Sequence, residues 1–260
     1  MKKIIKIILS NFLFLYEKKT LIYELIKRDI RVRFKKSIIG PGWITISSLI
    51  YISVVTFIFS NLFNMGDEYV IYITTGVISW QYINSSISSS SGILRSSKGW
   101  INNTPLSSIF FIVKENIKQI FFFFFSLILF PIIFILFSHE INFNFLFFLS
   151  GLLILFINLF LISLSISYLS TIYNQLSNII PPIMQLSFYI CPIIWMPSRF
   201  NSSFISYLDY YPLSILLSLV RNPLLNNSIN VGLTLLFTFV NLIICILVYR
   251  KFNKKIRLYI

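Results

Sequence analysis

Acidic residues are scarce in this chain: eight Asp and Glu stand among 260 residues, against 22 Lys and Arg. Only Asp67 and Glu68 are neighbours, so no pair of carboxylates has a spacing suited to general acid and base work. Histidine occurs once, at His139, and cysteine twice, at Cys191 and Cys245, inside apolar stretches without CxxC spacing. A His-based metal site within one chain is thereby excluded, and the two thiols read as inert packing groups. The eight glycines include no Gly-Lys pair, which removes the GxxxxGK[ST] phosphate loop. The chain has no nucleotide-hydrolysing site of its own, and nothing in it calls for a cofactor.

Apolar residues are abundant. They make up 57% of the chain, charged residues only 12%, and the mean hydropathy is +0.83. A soluble domain of this length cannot bury that much apolar surface, so the class is integral membrane and all-helical. A bilayer core about 30 Å thick needs about 20 apolar residues as helix, and six segments approach that length: 44–63, 70–91, 119–137, 145–167, 179–195 and 231–249. None of them holds an Asp, Glu, Lys, Arg or His within these bounds, which disfavours a proton-coupled carrier. The apolar run 4–16 is interrupted by Lys6 and lacks a small-residue cleavage site, so the N-terminus is expected to be retained.

The net charge of +14 would suggest nucleic acid in a soluble protein, but here the basic residues flank apolar spans, and no nucleic acid partner is expected. Twenty of the 22 fall in three clusters, at 2–36, 95–118 and 250–257; Arg199 and Arg221 are isolated. Basic segments stay on the cytoplasmic side of a membrane. Both termini and the segment 92–118 are therefore expected in the cytoplasm, and the acidic loops 64–68 and 138–144 outside. The expected organisation is a cytoplasmic N-terminal segment (1–43), a six-helix membrane domain (44–250) and a basic cytoplasmic tail (251–260).

Ahead of the first span, Ile22, Ile26, Ile30 and Phe34 recur every fourth residue among Lys27, Arg28, Arg31 and Lys35, the pattern of an amphipathic interface helix. Thr20 is placed to cap it, and Gly40-Pro41-Gly42 breaks the chain before Trp43. Two readings stay open for this helix: a working part, or only a positive-inside anchor. Ser85, Ser86 and Ser88 to Ser91 end the second span, as small residues for close helix packing or as a substrate surface. Phe121 to Phe125 supply bulk, and Pro131 is expected to kink the third span. The fifth, with Pro181, Pro182 and Pro192, is short. Residues 196–230 are too apolar for a free loop and too interrupted to cross. Helical spacing on either side of Tyr211-Pro212 predicts a re-entrant outer hairpin before the last helix.

Arg33-Phe34-Lys35-Lys36-Ser37-Ile38-Ile39-Gly40-Pro41-Gly42-Trp43 resembles the R-[YF]-[KR]-x-S-x-L-G-x-x-W signature of the membrane subunits of ABC-2 type polysaccharide exporters, with Ile39 in place of Leu. These are the O-antigen, capsule and teichoic acid export permeases. From Asn174 to Trp195 the chain is similar to the family's R-D-[IV] turn and its Q-x-x-[FW]-[FY]-x-[ST]-P-[IV]-x-[YW] segment, through Gln185, Phe188, Tyr189, Pro192, Ile193 and Trp195. Asn174-Gln175 stand in place of Arg-Asp, Cys191 in place of Ser or Thr, and Tyr211-Pro212 in place of Asn-Pro. The span order matches as well, so the likeness covers essentially the whole chain.

That resemblance implies a permease subunit in the bacterial cytoplasmic (inner) membrane, paired with a second copy of itself and two copies of a separate ABC ATPase. The cargo it implies is a lipid-linked glycan. Arg95, Lys98, Asn102, Asn103, Asn174 and Gln175 would couple to the ATPase; an ordinary cytoplasmic loop is the alternative for 92–118. Arg31, Arg33, Lys35 and Lys36 are placed to draw the lipid's phosphates, since basic side chains near an anionic surface contribute about 1 kcal/mol each. Tyr51, Trp80, Tyr82, Phe188, Tyr189 and Trp195 offer flat faces for sugar rings along a substrate pathway. A membrane-interface aromatic belt competes for Trp195, Tyr69 and Tyr72. Two other functions remain open, a permease for a drug or small lipid and a non-transport membrane scaffold or sugar-lipid enzyme.

Overall fold

A computed structural model of the chain describes residues 14–63, 66, 68–137, 145–197, 207–225, 228–253 and 256–259. They are helical, with no strand among them. The first regular helix, α1 (Lys19–Arg33), buries Ile22, Leu25 and Ile26 and keeps its basic face outward, as the four-residue apolar repeat predicts. Thr20 does not cap it. The Lys18 amide already donates to the Phe14 carbonyl at 3.1 Å, so helical hydrogen bonding begins before Thr20.

After α1 the chain turns at Gly40, whose φ of 61° is a left-handed conformation that side chains with a Cβ resist. The Gly40 amide donates to Ser37 Oγ at 3.1 Å. The Ser and Gly of the Arg33 to Trp43 motif thus hold the turn that aims α2 (Gly42–Phe63). A Cβ on Gly42 would press on Ile39 Cγ2 at 2.9 Å, so that position too favours glycine.

The remaining helices are α3 (Glu68–Ser90), the short α4 (Ile93–Ser96) and α5 (Lys98–Asn103), α6 (Ser108–Leu127) and α7 (Leu129–Phe137). They are followed by α8 (Phe145–Ile172), α9 (Leu176–Ile190), α10 (Pro212–Leu224), α11 (Val231–Phe252) and the terminal turn α12 (Ile256–Tyr259). Among the described residues, four stretches are long and apolar enough to cross a membrane: Gly42–Ser60, Ser108–Phe137, Phe145–Ile172 and Val231–Phe252.

The other two expected spans differ for physical reasons. α3 has the length but carries Thr74, Thr75, Ser79, Gln81 and Asn84, because it is the central helix, packed against α2, α6, α7, α8, α9 and α10. A helix surrounded by protein does not need a lipid-facing surface. α9 is only 15 residues, about 22 Å at 1.5 Å per residue. It stops at Ile190 because Pro192 drives Cys191 into extended backbone, so 191–195 are not helical.

The third span begins earlier than its hydropathy predicts. α6 starts at Ser108, eleven residues before the expected 119, and brings Lys114, Glu115 and Lys118 into its first three turns. The excursion ahead of it is correspondingly shorter than 92–118. Pro131 removes the amide that would bond Leu127, and the helix breaks one residue later, at Ile128, between α6 and α7.

Two apolar clusters stack along the bundle. One joins α2, α3, α7, α8 and α10. The other joins α1, α4, α5, the start of α6 and the ends of α8 and α11 through Ile22, Leu94, Ile101, Phe110, Leu164 and Cys245. Between α3 and α8 the serines interlock: Ser167 Oγ donates to the Ser90 carbonyl at 2.9 Å, and Ser86 is 1% exposed. The serine run packs helices closely. Asn158 ties α8 to α11, donating to Thr238 Oγ1 at 2.9 Å and accepting from Asn241 at 3.0 Å.

In the region 196–230, α10 opens with Pro212 at its first turn, as Tyr211-Pro212 suggests, and buries Ile215, Leu216, Leu217, Leu219 and Val220 against α8 and α3. Residues 198–206, with Arg199 and Phe204, lie outside the described residues, as do Asp67 and the loop 138–144 with His139 and Glu140. At Gly151 of α8 the Leu219 carbonyl of α10 approaches so closely that a Cβ has no room.

Candidate functional site

The basic end of the bundle is held by charges that the hydropathy reading left in a loop. Lys114 Nζ donates to Asp29 Oδ2 at 2.6 Å, joining α6 to α1, while Lys118 pairs with Glu115 at 2.7 Å and Gln119 donates to Glu115 at 2.8 Å. Burial raises the pKa of the Asp29 carboxyl, but Lys114, with Arg28 and Lys118, outweighs it and holds the carboxyl below its ordinary value. A depressed carboxylate pKa contributes stability that is full above the unfolded-state value of about 4 and is lost as pH falls through the folded value. The α1 to α6 contact is therefore expected to hold at neutral and mildly acidic pH and to loosen below about pH 4. Asp29→Asn is expected to loosen it at neutral pH, at a cost of about 1–3 kcal/mol for the Lys114 ammonium left unpaired. A label-to-label distance between α1 and α6 checks both; a distance unchanged by the substitution counts against the pair.

Arg95 of α4 points inward. Its guanidinium donates to Ser177 Oγ at 3.0 Å and closely to the Ser170 carbonyl and Asn174 Oδ1. Two of the coupling residues expected from sequence, Arg95 and Asn174, are thereby brought together, bridging α4 to the turn between α8 and α9. Asn174 accepts a charged donor at the position where an Arg stands in the resembling family. Lys98, Asn102, Asn103 and Gln175 are exposed, as is Trp100, whose ring lies 5.7 Å from the Arg28 guanidinium. Their side chains leave a polar surface over a buried apolar cluster.

Arg31, Arg33, Lys35 and Lys36 are all exposed, and none pairs with a carboxylate among the described residues. Arg33 has a packing contact as well: its guanidinium lies 4.7 Å from the Phe122 ring, which also meets Phe34 edge-on at 6.1 Å. The motif that begins at Arg33 is thus anchored to α6 at its first two residues.

The six aromatic candidates separate. Tyr51 of α2 and Phe188 of α9 meet at 6.5 Å, Trp80 lies 6.0 Å from Phe188, and Phe188 meets Tyr189 at 5.4 Å. Tyr189 is 65% exposed and Tyr51 40%, so these two rings face out of the chain with Phe188 between them. Trp80, 4% exposed, backs the group. Tyr82 lies apart from them: it is 3% exposed, stacks on Phe123 at 4.5 Å and meets Phe156 at right angles at 5.6 Å, within the chain's own core. Trp195 sits farther along, its Nε1 donating to the Tyr189 carbonyl at 3.1 Å.

Tyr69 and Tyr72 are structural rather than a surface belt: Tyr69 donates to the Ile194 carbonyl at 2.7 Å and Tyr72 to the Pro192 carbonyl at 2.8 Å, fastening the non-helical stretch after α9. Arg221, isolated in the charge pattern, is 5% exposed, its guanidinium 4.0 Å from the Tyr72 ring centroid, with Nη1 donating to the Pro192 carbonyl. Gly76 leaves the space that the guanidinium fills. The signal was present in an isolated Arg inside an apolar run, but its partners come from elements about 30 and 150 residues earlier in the chain.

No family model matches the chain. It is similar to the O-antigen export system permease protein RfbA of Klebsiella pneumoniae, 23% identical over 247 residues that cover 90% of this chain and 91% of that protein. This end-to-end similarity supports the likeness to ABC-2 type O-antigen export permeases that the Arg33 to Trp43 motif carries.

Proposed function

We propose that the chain is the membrane-spanning permease subunit of an ATP-driven exporter that moves a lipid-linked polysaccharide, of O-antigen, capsule or teichoic acid type, across the bacterial inner membrane. The observation that carries this reading is the similarity to an O-antigen export permease along nine-tenths of the chain. The chain works as a homodimer with two separate ATPase subunits, has both termini in the cytoplasm, and crosses six times through α2, α3, α6 with α7, α8, α9 and α11. α10 enters the outer side of the bundle and returns.

The shared apolar cluster explains how force passes. Because α1, α4 and α5 are buried against α6, α8 and α11, a push on the polar surface of Lys98, Asn102, Asn103 and Gln175 moves these helix ends together. Arg95 carries the same displacement to α9 through Ser170, Asn174 and Ser177. The moving face is that of α2 and α9, where Tyr51 and Tyr189 stand exposed in the single chain with the half-buried Phe188 between them, and the second copy supplies the opposite wall. Sugar rings slide along such aromatic faces through their C–H surfaces. The glycan's lipid-phosphate end is drawn in by Arg31, Arg33, Lys35 and Lys36 beside the start of α2.

Removing the chain from its host is expected to leave lipid-linked glycan accumulating on the cytoplasmic side, out of reach of a surface label; undiminished surface glycan would overturn the reading. Changing Arg31, Lys35 and Lys36 together to Gln, with Arg33 left on Phe122, removes about 3 kcal/mol of attraction for anionic headgroups. Export is expected to fall at least tenfold at normal membrane level, as read by pulse-labelling of surface glycan. A rate within twofold of the parent would remove the phosphate-entrance role.

A further inference from the structure

Two helices of the bundle carry amides that the chain itself leaves unsatisfied. Gln81 of α3 is half-buried and accepts from the buried Ser48 of α2, Oγ to Oε1, at 2.7 Å. Its Nε2 has no hydrogen-bond partner among the described residues and is not enclosed. Asn84, one turn on, accepts from Ser88 Oγ at 3.0 Å and likewise leaves its Nδ2 open. On α9, Gln185 is exposed, and its side chain bonds to nothing among the described residues. Amides left open at membrane depth are costly against lipid and find their partners in a water-filled passage or on a polar ligand.

These amides border the aromatic group. Ser48 lies one turn before Tyr51 on α2, Gln185 lies one turn before Tyr189 on α9, and both Tyr51 and Trp80 meet Phe188. Because Ser48 holds the Gln81 oxygen, the free NH2 is oriented before anything binds. An exposed ring beside a fixed amide offers a sugar both contacts it can make: C–H surface on the ring, hydroxyls on the amide.

The same helices are without charge. α2, α9 and α3 beyond Glu68 contain no Asp, Glu, Lys, Arg or His. Passages for anions and phosphates are lined by rings of Arg or Lys, which offset the ion's charge where water is scarce. Here the cations stop at Arg31, Arg33, Lys35 and Lys36, ahead of α2, and the exposed Glu68 stands at the first turn of α3. A polymer with a phosphate or carboxylate in every repeat would cross this stretch uncompensated. A single terminal phosphate meets that cost once.

We infer that the repeating units of the cargo are neutral, hydroxyl-rich sugars, and that Gln81, Asn84 and Gln185 select them by hydrogen bonding beside Tyr51 and Tyr189. The inference rests on the export reading and narrows it, since a polyol phosphate of teichoic acid type is excluded as cargo.

The experiment deletes the chain from its host, identifies the surface glycan that is lost, and measures the phosphate and uronate in each repeat of it. A neutral repeat is expected. A phosphate or carboxylate in every repeat overturns the inference and leaves the export reading standing, whereas loss of no surface glycan overturns both. Variants then test the residues, with the glycan pulse-labelled at normal membrane level. Gln185→Leu is expected to slow export about tenfold, the scale of one lost hydrogen bond, and Gln185→Asn, which keeps the amide, to recover most of the rate. Gln185 is exposed, so neither change disturbs the core. Gln81→Glu keeps the acceptor for Ser48, removes only the free donors, and is expected to slow export to a similar extent. A rate within twofold of the parent in Gln185→Leu, or Gln185→Asn as slow as Gln185→Leu, overturns selection by these amides.

Discussion

Arg95→Ala is expected to stop export almost completely, by about a hundredfold, while the protein still reaches the membrane and the partner ATPase still turns over. The guanidinium has three acceptors on the far side of the α4 contact: the Ser170 carbonyl, Asn174 Oδ1 and Ser177 Oγ. Hydrogen bonds to a charged group contribute about 1.5–3 kcal/mol each, and partial exposure of Asn174 places the sum toward the low end. Removing them leaves α4 attached to the bundle through Ile93 and Leu94 but detaches the turn that leads into α9. Motion of the coupling surface then no longer reaches the aromatic face. Arg95→Lys is expected to recover only part, because an ammonium lacks the planar fork that spans several acceptors. Surface glycan and ATP hydrolysis measured in the same cells distinguish this uncoupling from loss of the protein. Export within twofold of the parent would remove Arg95 from the coupling path.

The second large effect is on folding. Gly151→Leu is expected to abolish the folded protein, and Gly151→Ala to destabilise it by about 1–3 kcal/mol, the usual cost of overpacking a tight core. What a Cβ meets at Gly151 is the backbone carbonyl of Leu219, which has no rotamer to escape into. The two helices must separate, and with them the burial of Leu216, Leu219 and Val220, all fully enclosed. At Gly76 the obstruction is instead the end of the Arg221 side chain, so Gly76→Ala displaces a guanidinium rather than a helix. Gly151 variants are thus expected to be the more damaging pair. Size-exclusion profiles of fluorescently tagged protein in detergent test this; a monodisperse Gly151→Leu would show that α8 and α10 do not need this contact.

The features legible in sequence were those set by local periodicity. Ile22, Ile26, Ile30 and Phe34 announce α1 because a buried helical stripe repeats at that spacing, and Gly40 announces the turn because few other residues adopt its φ. The features that were not legible depend on partners distant in the chain. Lys114, Glu115 and Lys118 look like loop residues until Asp29 and Gln119 are placed beside them, and only then can α6 start at Ser108. α3 reads as a span over 70–91 by its length, and only its packing on six neighbours shows why it carries so many threonines and serines. Tyr82 shows the same limit. Its spacing in α3 is compatible with a pathway, and only the positions of Phe123 and Phe156 show that its ring is already covered.

The central claim is that this chain passes a lipid-linked glycan through the membrane when a separate ATPase drives it. The most direct measurement reconstitutes the permease with a candidate ABC ATPase of its host into vesicles, loads the outer leaflet with the radiolabelled lipid-linked glycan of the host, and adds ATP. With the ATPase bound on the outer side, the glycan should become protected inside the vesicles, at a rate that disappears without ATP, without the permease, or with Arg95→Ala. Glycan that stays accessible in the complete system while ATP is hydrolysed would contradict the account.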